Sequence, residues 1–201
     1  AYEIPLRLVG SEMCIRHSHY PEEFYKMSSL YAGLVADMQC FPIPVSKGNE
    51  QMWVEYCDSW GLERTYGGER RHEGTDIMAQ NNTPGIYPVL SATAGTVTNI
   101  GWLELGGWRI GITSENGIYY YYAHLDSYAP LSVGDTVTAG QLLGFMGNTG
   151  YSKVEGTKGK FDVHLHFGIY VTDENGTELA VNPCYLLKTI ENKVLYYQYG
   201  V

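Results

Sequence analysis

The first periodic pattern along the chain is helical. Phe24, Met27, Tyr31, Leu34, Val35 and Met38 recur at steps of three and four, which puts them on one stripe of an α-helix. Pro21, Glu22 and Glu23 suit its first turn, where a missing N–H costs nothing and acids face the positive end of the helix dipole. Gly33 weakens the helix slightly. Its polar face is not rich in lysine, so packing on a domain is expected rather than a membrane surface. Phe41-Pro42-Ile43-Pro44 then forces extended chain. From Trp53 onward the period changes to short alternating runs separated by turns. Strands are predicted over 87–90, 95–100, 108–113, 118–123, 135–138, 142–146, 163–171 and 177–181. Glu115-Asn116-Gly117 and Glu174-Asn175-Gly176 read as hairpin turns. Asn182-Pro183 ends the last strand, and a short helix is expected before a tyrosine-rich end. The pattern divides the chain into an N-terminal extension with the amphipathic helix (1–40), a β domain (41–190) and a tail (191–201). The fold class it predicts is mainly β, with mostly antiparallel pairing because the connections are short.

Composition sharpens this in three places. Gly at 24 and Tyr at 18 of 201 residues fit a turn-rich β protein of one moderate domain. A net charge of -9 argues against nucleic acid, which needs clustered Lys and Arg, and against binding to anionic lipid. No apolar run reaches the length of a membrane span, and no signal-peptide pattern is present. The start at Ala1 rather than Met fits removal of an export segment or anchor. Cys14, Cys40, Cys57 and Cys184 show no C-x-x-C spacing. They are expected to be buried thiols or to form one incidental disulfide, with three pairings open.

The chemistry is concentrated in three segments. In Val163-His164-Leu165-His166-Phe167, alternation on a strand turns both imidazoles to one face while Val163, Leu165 and Phe167 enter the core. In Arg71-His72-Glu73-Gly74-Thr75-Asp76, His72 and Asp76 can reach one point if Gly74 lets the backbone bend. Two imidazoles and a carboxylate are the donors that a catalytic zinc takes, with a fourth position left for water. His72, Asp76 and one histidine of the pair make that set. Tyr122-Ala123-His124-Leu125 can add an imidazole beside that water. Glu73 lacks the helical H-E-x-x-H context of a catalytic glutamate and reads as a solvated or supporting carboxylate. Of the tyrosine run 119–122, alternate rings should be core and exposed. His17 and His19 have no matching carboxylate and read as surface residues.

These segments resemble the lysostaphin-like zinc endopeptidases, which cut peptide links in peptidoglycan. His72-Glu73-Gly74-Thr75-Asp76 matches the family's His-x-Gly-x-Asp, Tyr122-Ala123-His124-Leu125 its Tyr-x-His-Leu, and His164-Leu165-His166 its His-x-His strand. The stretches 134–141 and 144–150 and Val181-Asn182-Pro183 follow in the family's order, so that the resemblance covers about residues 41–187. It implies an antiparallel barrel-sandwich hybrid, the duplicated hybrid motif. It implies Zn2+ held by His72, Asp76 and His166, with His124 and His164 off the metal as proton-handling groups. It also implies Tyr66 near the transition state, a peptidoglycan peptide as substrate, and an extracellular or cell-wall location, secreted or anchored. The bond cut and the oligomeric state stay open. The loops 62–71, 101–108 and 149–160 are expected to wall the groove. Three other readings stand behind this one. A non-catalytic scaffold or activator of wall enzymes would have lost ligands. A biotinyl or lipoyl carrier, suggested by the stretch 134–141, would display a lysine at a hairpin tip, and Lys153 lacks that context. A plain binding module has no use for three metal-ligand motifs.

Overall fold

A computed structural model of the chain describes residues 21–200. Cys14, His17 and His19 lie outside the described residues. The described residues fall into two compact units, with the boundary between Ala36 and Asp37. In the first, the helical stripe forms the helix Pro21–Asp37, with acids in its first turn and a Glu22–Lys26 ion pair at 3.0 Å. No helix among the described residues is long and apolar enough to cross a membrane.

The second unit is built on one ten-stranded sheet. Its strands are β2 (Val54–Tyr56), β5 (Thr75–Ala79), β6 (Pro88–Leu90), β7 (Gly95–Leu103), β8 (Gly107–Thr113), β9 (Tyr119–Tyr128), β10 (Thr136–Val137), β11 (Leu142–Met146), β12 (His164–Thr172) and β13 (Glu178–Val181). They run in the order β10-β7-β8-β9-β12-β5-β2. β13 extends the sheet beside the end of β12, and β11 bridges β9 to β6. Every pairing in this sheet is antiparallel, as the short connections predict. Two minor sheets complete the unit. One is the hairpin of β3 (Glu63–Arg64) and β4 (Arg70–Arg71). The other pairs β1 (Val45–Ser46) in parallel with β14 (Tyr196–Tyr197), from the tail of the chain. A short helix, Cys184–Thr189, follows Pro183 and buries Cys184, Leu186 and Leu187.

Both hairpin signals form turns. Gly117 takes φ 74° between Ser114 and Ile118, whose backbones pair, and Gly176 takes φ 80° behind Asp173. The Asp173 carboxylate accepts the N–H groups of Asn175 and Thr177, which closes the second turn. Strand alternation builds the core. Val163, Leu165, Phe167 and Ile169 are fully buried on one face of β12 and its approach. Tyr120 and Tyr122 are buried beside them on β9, with the Tyr122 and Phe167 rings 5.3 Å apart. Each such side chain stabilises the fold by about 1.5–3 kcal/mol of apolar burial. Tyr119 and Tyr121 turn to the opposite face, so the tyrosine run splits as its alternation predicts. β2 and β5 are the strands of this sheet that the apolar pattern does not announce; in β5 the polar Thr75 takes a place on the buried face. Cys40, Cys57 and Cys184 are free thiols, and burial pushes the Cys40 thiol up to about 11.

The Tyr122 hydroxyl accepts the Ala92 N–H at 2.8 Å in the core. Tyr122→Phe keeps the ring but orphans that N–H. The expected loss in unfolding free energy is about 1–3 kcal/mol, measured by chemical denaturation. A loss near zero would mean that the Ala92 N–H finds another acceptor.

Candidate metal centre

Register brings the candidate residues together. β12 sets His166 opposite Asp76 on β5 and opposite Ala123 on β9. His72 follows the β3–β4 hairpin, and its backbone pairs with Gly61 and Leu62, which holds it over the start of β5. Three donor atoms then meet. His72 Nε2 lies 3.0 Å from Asp76 Oδ1, His166 Nδ1 lies 2.9 Å from the same oxygen, and the two nitrogens are 3.0 Å apart. His72 Nδ1 is 3.1 Å from the Ser59 carbonyl oxygen, which can only accept, so Nδ1 carries the proton and Nε2 keeps its lone pair. That lone pair therefore faces a carboxylate oxygen at 3.0 Å. Two acceptors held so close need a cation or a proton between them. A tetrahedral ion with bonds of about 2.0–2.1 Å spaces its ligand atoms by roughly 3.3 Å, close to this triangle. The donor set therefore fits a divalent metal ion.

Neighbouring groups orient the set. Arg64 Nη2 donates to Asp76 Oδ2 at 2.8 Å, which occupies the second carboxylate oxygen and leaves Oδ1 for the centre. Burial alone would raise the Asp76 carboxyl, but the His166 and His72 imidazoles that crowd it outweigh burial and hold it well below the usual carboxylate range. Gly74 has no left-handed backbone. Its role is space rather than bending: a Cβ there would sit 2.5 Å from His166 Nε2 and 2.9 Å from the Phe167 carbonyl oxygen.

The other two histidines stand beside the triangle. His164 Nδ1 donates to the Asp162 carbonyl at 2.8 Å, which leaves Nε2 3.8 Å from Asp76 Oδ1. His124 Nδ1 donates to the Thr149 carbonyl at 2.7 Å, and its ring lies 4.7 Å from that of His164. His124 sits at φ 63°, where β9 carries an extra residue against β8; the bulge turns its side chain out of the strand's alternation. Burial first, then the charges of His164 and His166, push His124 well below the ordinary histidine value. Burial also lowers His164, against the Asp76 charge.

All five residues line a groove of about 1190 Å³. Each of the three predicted wall loops contributes, through residues such as Arg70, Leu105 and Tyr151. Tyr66 stands one ring back: it stacks on Tyr151 at 4.6 Å, and the Tyr151 ring is 6.0 Å from His124. Glu73 is exposed at the rim. Sequence reasoning missed Arg64, Tyr151 and the floor formed by Tyr119, Tyr121 and Tyr170. The alternation of 119–122 signalled part of that floor. Nothing local signalled Arg64, whose partner is twelve residues away across a hairpin.

Residues 70–183 match peptidase family M23. The chain is 40% identical over 162 residues to the L-Ala–D-Glu endopeptidase of Bacillus subtilis, covering 80% of this chain and 46% of that protein. It is 36% identical over 98 residues to lysostaphin of Staphylococcus simulans, covering 48% of this chain and 17% of that protein. The chain thus spans about half the length, or less, of these curated relatives. Among solved structures, a Ruminococcus gnavus protein proposed to be a glycyl-glycine endopeptidase superposes with a TM-score of 0.77 at 55% identity. That match covers 83% of this chain and 66% of the other. The catalytic domain of S. simulans lysostaphin superposes at 0.52 with 29% identity, covering 67% and 92% respectively.

Gly74→Ala tests the packing at this centre. The added methyl displaces the His166 ring, and affinity for a divalent metal is expected to fall by about tenfold or more, by chelator competition on folded protein. Wild-type affinity in the variant would show that His166 can yield without leaving the site.

Proposed function

The chain belongs to peptidase family M23, and from that membership we propose that it is a zinc-dependent endopeptidase that hydrolyses peptide links of bacterial peptidoglycan. The observation that carries this reading is the triangle of His72 Nε2, Asp76 Oδ1 and His166 Nδ1, open to a groove that holds two further imidazoles. His72, Asp76 and His166 would hold the zinc. When bound, the ion would acidify a water and polarise the scissile carbonyl. Relatives are named for an L-Ala–D-Glu bond and for glycyl-glycine bonds. Both lie in peptides, and such a substrate puts the protein in the cell envelope or outside the cell.

The chain's own groups handle the protons. His124 and His164 each have Nδ1 committed to a backbone carbonyl, so each presents Nε2 as the free acceptor. Burial keeps both neutral near pH 7, the form that a general base requires. His164 is the nearer of the two to Asp76 Oδ1 and would take the proton of the attacking water at Nε2. That same proton, relayed from His164 to Nε2 of the neighbouring His124, would then protonate the amine as the bond breaks. The Tyr66 hydroxyl, reaching past the Tyr151 ring on which it stacks, would donate to the carbonyl oxygen as its charge grows. The scaffold reading has no missing donor to rest on.

Metal content and release of new amino termini from peptidoglycan test the proposal together. One equivalent of zinc is expected, with termini that disappear on chelation. His72→Ala, Asp76→Ala and His166→Ala should lose the metal. His124→Ala and His164→Ala should keep it and lose about 100-fold or more in turnover. Metal loss from both of the latter would overturn the division of roles, and zinc-loaded protein that releases no termini would overturn the activity.

A further inference from the structure

The groove's cations differ in kind from the rest of the chain's. The protein carries a net charge of -9. Yet every arginine among the described residues, Arg64, Arg70, Arg71 and Arg109, lines the groove, and no lysine does. Lysine offers a point charge, whereas the planar guanidinium matches a carboxylate at two points. Three of the four are engaged. Arg64 holds Asp76, Arg70 reaches the Tyr151 hydroxyl and the Tyr66 carbonyl, and Arg71 reaches the Gly61 carbonyl. Arg109 differs: its Nη1 is buried and has no hydrogen-bond partner. Glu69, Glu73, Glu104 and Glu178 line the same groove, and none of them satisfies that atom. A charged donor shielded from water without an acceptor is costly, and an anionic ligand would relieve the cost.

The surroundings are shaped for such a ligand. Arg109 lies on β8 opposite the bulge at Ala123–His124. A Cβ at Gly106 would collide with the Tyr121 hydroxyl, and one at Gly111 with the Tyr119 ring. The two glycines thus let these rings cross β8 before and after Arg109. Tyr170, packed edge-on to Tyr121 at 6.3 Å, continues the floor toward His166. Counting strands from His166 through Ala123 to Arg109 gives two spacings, about 10 Å, or roughly three residues of extended peptide.

We propose that Arg109, walled by Tyr119, Tyr121 and Tyr170, is a carboxylate-recognition subsite that selects peptides with an acidic residue within about three positions of the bond cut. This rests on the endopeptidase reading above and adds a specificity-determining residue to it. The guanidinium would take the carboxylate in a two-point pair while the rings cover the adjoining backbone.

The test uses two short peptides that contain an L-Ala–D-Glu bond and differ only at the glutamate, one with its free carboxylate and one with the carboxamide. Each is titrated by calorimetry into metal-free protein, in which no cleavage occurs, and cleavage by the zinc-loaded protein is followed in parallel. The wild-type protein is expected to favour the carboxylate by about tenfold to 100-fold in affinity and in kcat/KM. In Arg109→Gln that ratio should fall to within about threefold of one, and Arg109→Lys should keep an intermediate ratio. A wild-type ratio near one, or a ratio that survives Arg109→Gln, overturns the subsite. Release of termini from whole peptidoglycan by the wild-type protein reads the endopeptidase proposal separately, because the calorimetric ratio does not depend on turnover.

Discussion

Three strands meet at His166, and the pairing of β12 with its neighbours is the constraint on which the groove depends. That register sets His166 against Asp76 on one side and Ala123 on the other. A slip of one residue would send both histidines of β12 inward and turn Leu165 to the groove. The slip is prevented by what lies beneath. Val163, Leu165 and Phe167 are fully buried, and each would have to enter water for the register to change. The apolar face of β12 therefore positions the polar one, and the chemistry of the groove is held by hydrophobic burial on the reverse side of the same strand.

Backbone carbonyls supply the second level of order. Ser59, Thr149 and Asp162 each accept from the Nδ1 of a histidine, and so decide which nitrogen of His72, His124 and His164 faces the centre. A carbonyl has no side chain to mutate and holds its place through the local fold. The electrostatics follow from this arrangement. Burial keeps the two off-centre imidazoles neutral, while Asp76 stays ionised against its own burial because histidines crowd it.

Much of this was legible in the residues. Period-two runs located eight strands of the sheet, because apolar alternation is imposed by burial of one face. The His-x-His pair located the functional face of β12 by the same logic. β5 was not legible as a strand, because the polar Thr75 takes a place on its buried face and leaves only Ile77 as a fully buried apolar residue there. The purpose of Gly74 was also hidden. A glycine between two candidate ligands suggests a bend, but the reason is the His166 ring, ninety-two residues further along the chain. Arg64, Tyr151 and Arg109 share that limit: each acts across the sheet or across loops, through contacts that no local period encodes. The tail shows a related limit, since its pairing with β1 joins segments about 150 residues apart in sequence.

That last pairing has a mechanical consequence. β1 and β14 run side by side in the same direction, reinforced where Ser46 donates to the Tyr199 carbonyl and Tyr199 to the Pro44 carbonyl. Tension between the two ends of the chain would load a parallel pair in shear, so that its hydrogen bonds resist together instead of opening one by one. The clasp is closed upstream and downstream of the ten-stranded sheet. It would bear such tension first and leave the strands that carry the imidazoles unstretched. A sheet fastened in this way can be loaded from either side of the clasp without its geometry depending on the load.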